Sequence, residues 1–188
     1  MMQDIFFTAS RPFYQSVSLL KLGPIDPVEY ESFVMGFFDR AGIIITSESI
    51  LSVYKLLEGQ TWYIQAVFNE IYALSLSGDT VDNSLISLAI KNIVLSYEPI
   101  YQGILSRLTE RQKEILFAIA NEGYAVEITS SEFVNKHGLQ SSSSVQSSIK
   151  QLITKEIVVR QNNRYLIPDR FFALWLRMTY GTGWRLEL

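Results

Sequence analysis

The chain has 188 residues, 48% hydrophobic and 19% charged, with a net charge of −3, a balance that suits one ordinary folded domain or two small ones. It has no cysteine, which excludes disulfides, thiol catalysis and thiolate metal sites and fits a reducing cytoplasm. No apolar run reaches the roughly 18 residues of a membrane span, and MMQDIFFTASRPF lacks the basic flank of a signal peptide, so a cytoplasmic chain without a membrane anchor is expected.

From the amino terminus, TASRPFYQSVSLLKLGPIDPVEY (Thr8 to Tyr30) passes from a polar, aromatic-rich stretch into the strand-like run Val17 to Leu22 and then the Gly23-Pro24 turn. A series of helices is expected next. Asp26 caps the first, with Pro27 at the first helical position and Glu29 in capping-box register. Tyr30, Phe33, Val34, Phe37 and Phe38 recur at helical spacing as one apolar stripe, and Gly42 ends the helix. A second helix runs from about Ser47 to Leu57 and breaks at Gly59. A third spans about Thr61 to Leu76, with Tyr63, Val67, Ile71 and Leu74 inward and Trp62 and Phe68 widening that face. Asp82 caps a fourth, whose inner face is Leu85, Ile86, Ala89, Ile90, Ile93 and Val94. Pro99 marks a fresh start after Glu98.

The second half has another rhythm. Thr109 and Gln112 form a capping box ahead of Ile115, Leu116 and Ile119, and Gly123 stops that helix. Ala125 to Ile128 reads as a short strand. Thr129 and Glu132 are in capping-box register for a helix that ends at Gly138. Val145, Ile149, Leu152 and Ile153 then predict a helix over Gln140–Lys155, buried along one face. Ile157–Arg160 and Arg164–Ile167 are strand-like, with turn chemistry at Gln161-Asn162-Asn163, and PDRFFALWLRM closes with an apolar helix. Helix, strand, helix, helix, hairpin is the order of a helix-turn-helix with a wing. The expected fold is mainly α: a small helical bundle followed by a winged helix, the two with separate cores.

Charge divides in the same place. Residues 1–104 hold five Lys/Arg against eleven Asp/Glu, and residues 105–188 hold eleven against eight, so −6 faces +3. Two units with different partners are implied. On the winged helix, the outward side chains Ser142, Ser143, Gln146, Ser147, Lys150 and Gln151 would meet a major groove, with Arg160 and Arg164 on phosphate at the wing. The winged helix would otherwise contact a protein or be purely architectural, because the groove helix carries Lys150 and Lys155 but no arginine.

Catalytic and metal-binding motifs are absent from the sequence. No glycine precedes a lysine, so there is no GxxxxGK[ST] phosphate loop, and neither GxGxxG nor HExxH occurs. His137 is the sole histidine and sits before Gly138, where a cap or surface role is expected. One histidine without cysteine builds no ordinary zinc site. Ser141–Ser144 reads as a helix start, with no histidine base beside it.

SRPFYQSVSLLKLGPIDPVEYESFVMGFFDRAG, followed by LLEGQTWYIQAVFNEIY, resembles the carboxyl half of the archaeal-type AAA+/STAND ATPases, a P-loop family. Gly59–Gln65, GQTWYIQ, is similar to their GHPYYLQ-like lid motif, with Gln60 and Thr61 departing from it. The resemblance covers roughly residues 5–180 and includes the order of lid before winged helix. It implies residues 1–23 as the remnant of an ATPase core, 24–104 as a helical lid, 105–180 as the winged helix and 181–188 as a tail. It implies further that the phosphate loop and Walker B strand lie before residue 1, so that ATP and magnesium belong to the complete protein and no cofactor to this chain. Arg11 would be a sensor or finger arginine for a γ-phosphate, or else an ordinary surface arginine before proline. Gln60 and Tyr63 would face adenine, or else Tyr63 packs in the core. Val17–Leu22 would be a core strand without its sheet, and residues 1–22 would pair with the missing core or with a second copy of the chain.

Three readings follow: the lid and winged-helix region of an ATPase, inactive alone and concerned with nucleotide-state sensing and partner contact; a DNA-binding transcription regulator; and a protein-interaction adaptor without nucleotide binding. Metal-assisted phosphoryl transfer needs a backbone cradle with its lysine. The isolated chain is therefore expected to release no phosphate from ATP in a steady-state assay, and turnover that persists through repurification would contradict this.

Overall fold

The computed structural model describes residues 23–181. The expected strand at Val17–Leu22, Arg11 and the pairing of residues 1–22 lie outside them. The described residues form nine helices and one hairpin, so the fold is mainly helical and ends in a winged helix. The helices are α1 (Pro27–Arg40), α2 (Ser47–Leu56), α3 (Thr61–Leu74), α4 (Asn83–Ser96), α5 (Glu98–Leu105), α6 (Glu110–Glu122), α7 (Ser131–Lys136), α8 (Ser142–Thr154) and α9 (Arg170–Tyr180). Strands β1 (Val159–Gln161) and β2 (Arg164–Leu166) lie between α8 and α9.

Local chemistry explains most boundaries. The Asp26 carboxylate accepts from the Val28 and Glu29 amides, and Pro27 opens α1. Asp82 accepts from Leu85 N at 2.8 Å at the start of α4, and that amide bond is the main reason its carboxyl lies below the usual range. At α6 both arms of the capping box form, Thr109 with Gln112 N and Gln112 with Thr109 N. Helix α7 corrects the expected cap. Ser130, not Thr129, is the cap, and its Oγ accepts from Phe133 N at 3.1 Å.

Three further expectations are corrected. Phe33 is 60% exposed and Phe37 is also exposed, so only Tyr30, Val34 and Phe38 of the α1 stripe are buried. Five apolar positions at helical spacing are more than one packed face needs. On α3 the chain leaves the helix at Leu74, which is exposed, and Ile64 takes the inner position beside Val67, Phe68 and Ile71. The segment Ala125–Ile128 is a single bridge rather than a strand: Ala125 pairs antiparallel with Tyr165, and Glu127 already has a left-handed φ of 46°. A second short pairing, Ile44 parallel to Thr80, ties the α1–α2 connection to the α3–α4 connection.

The expectation of separate cores is also corrected. Buried side chains from Tyr30 to Leu176 form one continuous cluster. Helix α9 makes the join, because it packs on both α4 and α6. Seven consecutive residues, Arg170 to Leu176, are buried. Phe171 lies against Trp62, Tyr63 and Tyr97, while Phe172 and Trp175 lie against Tyr101. A helix buried nearly all round belongs to the middle of a core, where each large side chain is worth about 1.5–3 kcal/mol. Trp175 is fully buried, and its indole N–H has no acceptor among the described residues.

Gly123 fixes how α6 ends. Its φ is +79°, and a Cβ there would come within 2.8 Å of Arg177 Nη2. Arg177 lies in that space because its Nε donates to the Ala120 carbonyl, one of the last of α6. Gly123→Ala meets both a disfavoured φ and the displaced guanidinium, so a loss of about 1–2 kcal/mol or more is expected in urea unfolding. An unchanged midpoint would show that the turn is not constrained in this way.

Candidate functional site

Helix α8 is built to bury one face and present the other. Ser141 Oγ accepts from Ser144 N at 3.2 Å, and Val145, Ser148, Ile149 and Leu152 are buried against α6. Gln112 links α8 to the start of α6. Its side chain closes the α6 capping box and its Nε2 also donates to Gln151 Oε1 at 2.5 Å. Ser142 Oγ donates to Thr129 O at 2.7 Å, which ties the start of α8 to the start of α7.

The sequence-predicted contact residues Ser142, Ser143, Gln146, Ser147 and Lys150 are all exposed. They differ in what they can offer. The Ser142 and Ser147 hydroxyls donate to backbone carbonyls, and Ser143 Oγ lies 3.2 Å from Ser141 Oγ. Gln146 and Lys150 make no side-chain hydrogen bond among the described residues and reach outward. From Phe133 to Lys155 there is no carboxylate, while Lys136, Lys150 and Lys155 supply positive charge. Lys136 is paired with Glu122, so Lys150 and Lys155 are the cations left to meet a polyanion along this segment.

The wing has a two-residue turn. Asn162 and Asn163 have φ of 47° and 63°, as a type I′ hairpin requires. Arg160 pairs with Tyr165, and Gln161 with Arg164. Side chains alternate along a strand, so Arg160 and Arg164 leave opposite faces of the hairpin. The aromatic contacts agree. Arg160 lies over the Tyr165 ring at 5.4 Å and bonds to Asn163 Oδ1, whereas Arg164 lies over Tyr124 at 4.3 Å. The two arginines predicted to act together are thus separated by the strand's own period.

Gln60 and Tyr63 are brought together at a different place, the joint between bundle and winged helix. Arg170, the first residue of α9, is 8% exposed. Its Nη2 donates to Glu58 Oε2 at 2.5 Å. With the Gln60 carbonyl turned toward it, Arg170 also donates to that oxygen from Nε at 2.8 Å and Nη2 at 3.2 Å. Glu58 has a left-handed φ of 52°, and Gly59 follows at 70°, so the turn between α2 and α3 points both acceptors at the guanidinium. Next to this, the Asp169 carboxylate accepts from Phe172 N at 3.0 Å as the α9 cap. Burial first, and this carboxylate second, push the Tyr63 and Tyr101 hydroxyls above their ordinary range. No signal in the sequence singled out Glu58, Asp169 or Arg170, whose separation of 112 residues leaves no local pattern.

His137 is the C-cap of α7, and its Nε2 lies 2.9 Å from Glu122 Oε1. Lys136 Nζ is 2.6 Å from the same oxygen, and chiefly this lysine holds the Glu122 carboxyl below its usual range. Among the described residues, no three histidine or carboxylate side chains converge on a metal position. At the joint the Gln60 carbonyl faces Arg170 and Tyr63 packs against Phe171.

Residues 99–178 match a protein-family model described as "Probable winged helix domain". The carboxyl part of the chain is a winged helix. The matched segment begins at Pro99, so it includes α5 together with α6 to α9. No curated protein and no solved structure gives a significant match. No described helix is long and apolar enough to cross a membrane.

The joint generates a stability prediction. Removing a buried guanidinium that makes charge-assisted bonds should cost about 2–3 kcal/mol. Arg170→Ala is therefore expected to lower the urea midpoint with a single transition. Arg170→Lys should recover less than half of the loss, because an ammonium lacks the fork that reaches Glu58 and Gln60 together. Full recovery by lysine would mean that only the charge matters.

Proposed function

We propose that the chain is the lid and winged-helix region of an AAA+/STAND-type ATPase, and that its winged helix contacts the backbone of duplex DNA weakly and with little sequence selectivity. The DNA contact rests on one observation above the others: the exposed face of α8 belongs to a 23-residue stretch, 133–155, without a carboxylate. Lys150 and Gln146 project from it, and Arg164, lying over the Tyr124 ring, stands on the wing. Serine, glutamine and lysine suit phosphate and groove-edge contacts, but so few cations give modest affinity. Binding in the micromolar range or weaker is typical of such contacts at physiological salt.

The ATPase part of the reading rests on the resemblance and on the order of bundle before winged helix. The chain would itself hydrolyse nothing, and ATP with magnesium would bind to a core outside residues 23–181. The polar joint supports a mechanical role for the lid motif. Gln60 and Tyr63 hold the winged helix, so a displacement of the bundle would carry α8 with it. A protein partner on the same face of α8 is the alternative outcome.

Fluorescence titration of a labelled duplex across a salt series tests the DNA contact. Lys150→Ala is expected to weaken binding to all duplex sequences and to lower the slope of log K against log salt by about one. Arg160→Ala with Arg164→Ala together should lower it by about one rather than two, since one phosphate backbone meets only one face of the wing. Nanomolar, sequence-selective binding would instead favour a transcription regulator, and no salt-dependent binding would favour a protein partner.

A further inference from the structure

Helix α1 carries a face that the packing of the described residues does not use. Phe33 is 60% exposed and Phe37 is 40% exposed. A groove of about 240 Å³ lies beside them, floored by the buried rings of Tyr30, Phe38 and Phe68 and edged by Gln65 and Asn69 of α3. Gly36 sits next to Phe37 inside the helix, where glycine is less favourable than alanine. Among the described residues, a Cβ there would meet only Arg40 Nη1, at 3.9 Å, so no internal contact requires the missing side chain.

The same face is charged at its two ends. Glu29 and Arg40 are both exposed and about three turns apart, which places them on nearly one line of the helix. Phe33, Gly36 and Phe37 lie between them, and all five residues share an arc of about 100°. The Arg40 guanidinium stays on this face, 5.7 Å from the centroid of the Phe37 ring. Among the described residues neither Glu29 nor Arg40 makes an ion pair. The pattern is self-complementary. Glu29 with Arg40, and Phe33 with Phe37, are both centred at Val34–Met35. A two-fold axis at that point sets Glu29 of each copy against Arg40 of the other, and Phe33 of each against Phe37 of the other.

We propose that this face binds a second copy of the chain, through an antiparallel two-fold contact of α1 with α1. Antiparallel docking brings the acidic first turn of each helix to the basic last turn of the other, the sense that the helix dipoles also favour. Gly36 lets the two backbones approach, and the second copy's aromatic rings enter the groove between α1 and α3. A crossing angle of about 20° keeps the ends within reach of the glutamate and arginine side chains. Such a contact closes at two copies. It uses neither α8 nor the wing, so it stands apart from the DNA and ATPase readings.

Sedimentation equilibrium of the full chain at physiological salt reads this association directly. The wild type is expected to pass from monomer to dimer mass below about 100 μM, a modest affinity for a small contact. Phe33→Asp should stay a monomer at that concentration. Its melting temperature should equal that of the wild type when both are diluted to monomers, because the side chain is exposed. Glu29→Arg and Arg40→Glu each set like charges against one another across the axis, so each alone should associate about ten-fold more weakly or worse. An equimolar mixture of these two variants regains both opposite-charge contacts and should form a heterodimer, detected with a fluorescent label on one of them. Glu29→Arg together with Arg40→Glu in one chain should recover the dimer for the same reason. A monomer at every concentration, a species larger than a dimer, association indifferent to Phe33→Asp, or no heterodimer in the mixture would each overturn the proposal. A lower melting temperature for dilute Phe33→Asp would also overturn it, since another part of the same chain would then cover the face.

Discussion

One buried cation lies at the join of the two halves. Arg170 is withdrawn from water at the start of α9, and among the described residues its guanidinium bonds to groups on the turn between α2 and α3. A desolvated charge without partners is costly, and so the α2–α3 turn and the α9 start cannot separate independently. The turn adopts two successive left-handed residues, Glu58 and Gly59, to present its acceptors. Glycine accepts that conformation readily, whereas glutamate does so at a local cost that the ion pair offsets. Around this contact the aromatic side chains of Trp62, Tyr63, Tyr97 and Tyr101 close over Phe171 and Phe172. The bundle and the winged helix therefore share a core, even though each has the element order of a separate unit.

What could be read in the sequence was local. Asp26, Asp82 and Thr109 announce their helices because a cap acts on amides two or three residues away. The hairpin was legible because Asn-Asn tolerates positive φ and the flanking residues are strand formers. The Ser130 cap was misplaced by one residue, since Thr129 and Ser130 offer the same hydroxyl and only the backbone decides between them. The α1 stripe was overread for a related reason. Spacing identifies which residues share a face, but the partner helix decides how wide a face is covered, and Phe33 and Phe37 fall outside it.

The joint was illegible because its members are long-range. Gln60 and Tyr63 lie in a stretch that resembles a lid motif, yet their partners Arg170 and Asp169 come from the far end of the chain. The opposition of Arg160 and Arg164 was readable in principle. It follows from the strand period once the turn is fixed at two residues, and a three-residue turn at Gln161–Asn163 would have hidden it.

The shared helix α9 has a consequence for how the chain is made. Ribosomes deliver about 5–20 residues per second, so the 112 residues between Glu58 and Arg170 take on the order of 6–22 s to emerge. Through that interval the bundle has its helices but lacks Phe171, Phe172 and Trp175, which close its core, and the surface they will cover faces solvent or a chaperone. Native docking of either half must await the last helix. The nascent protein is thus committed to finishing its fold after synthesis of both halves, and a stall before residue 170 would leave an apolar flank uncovered.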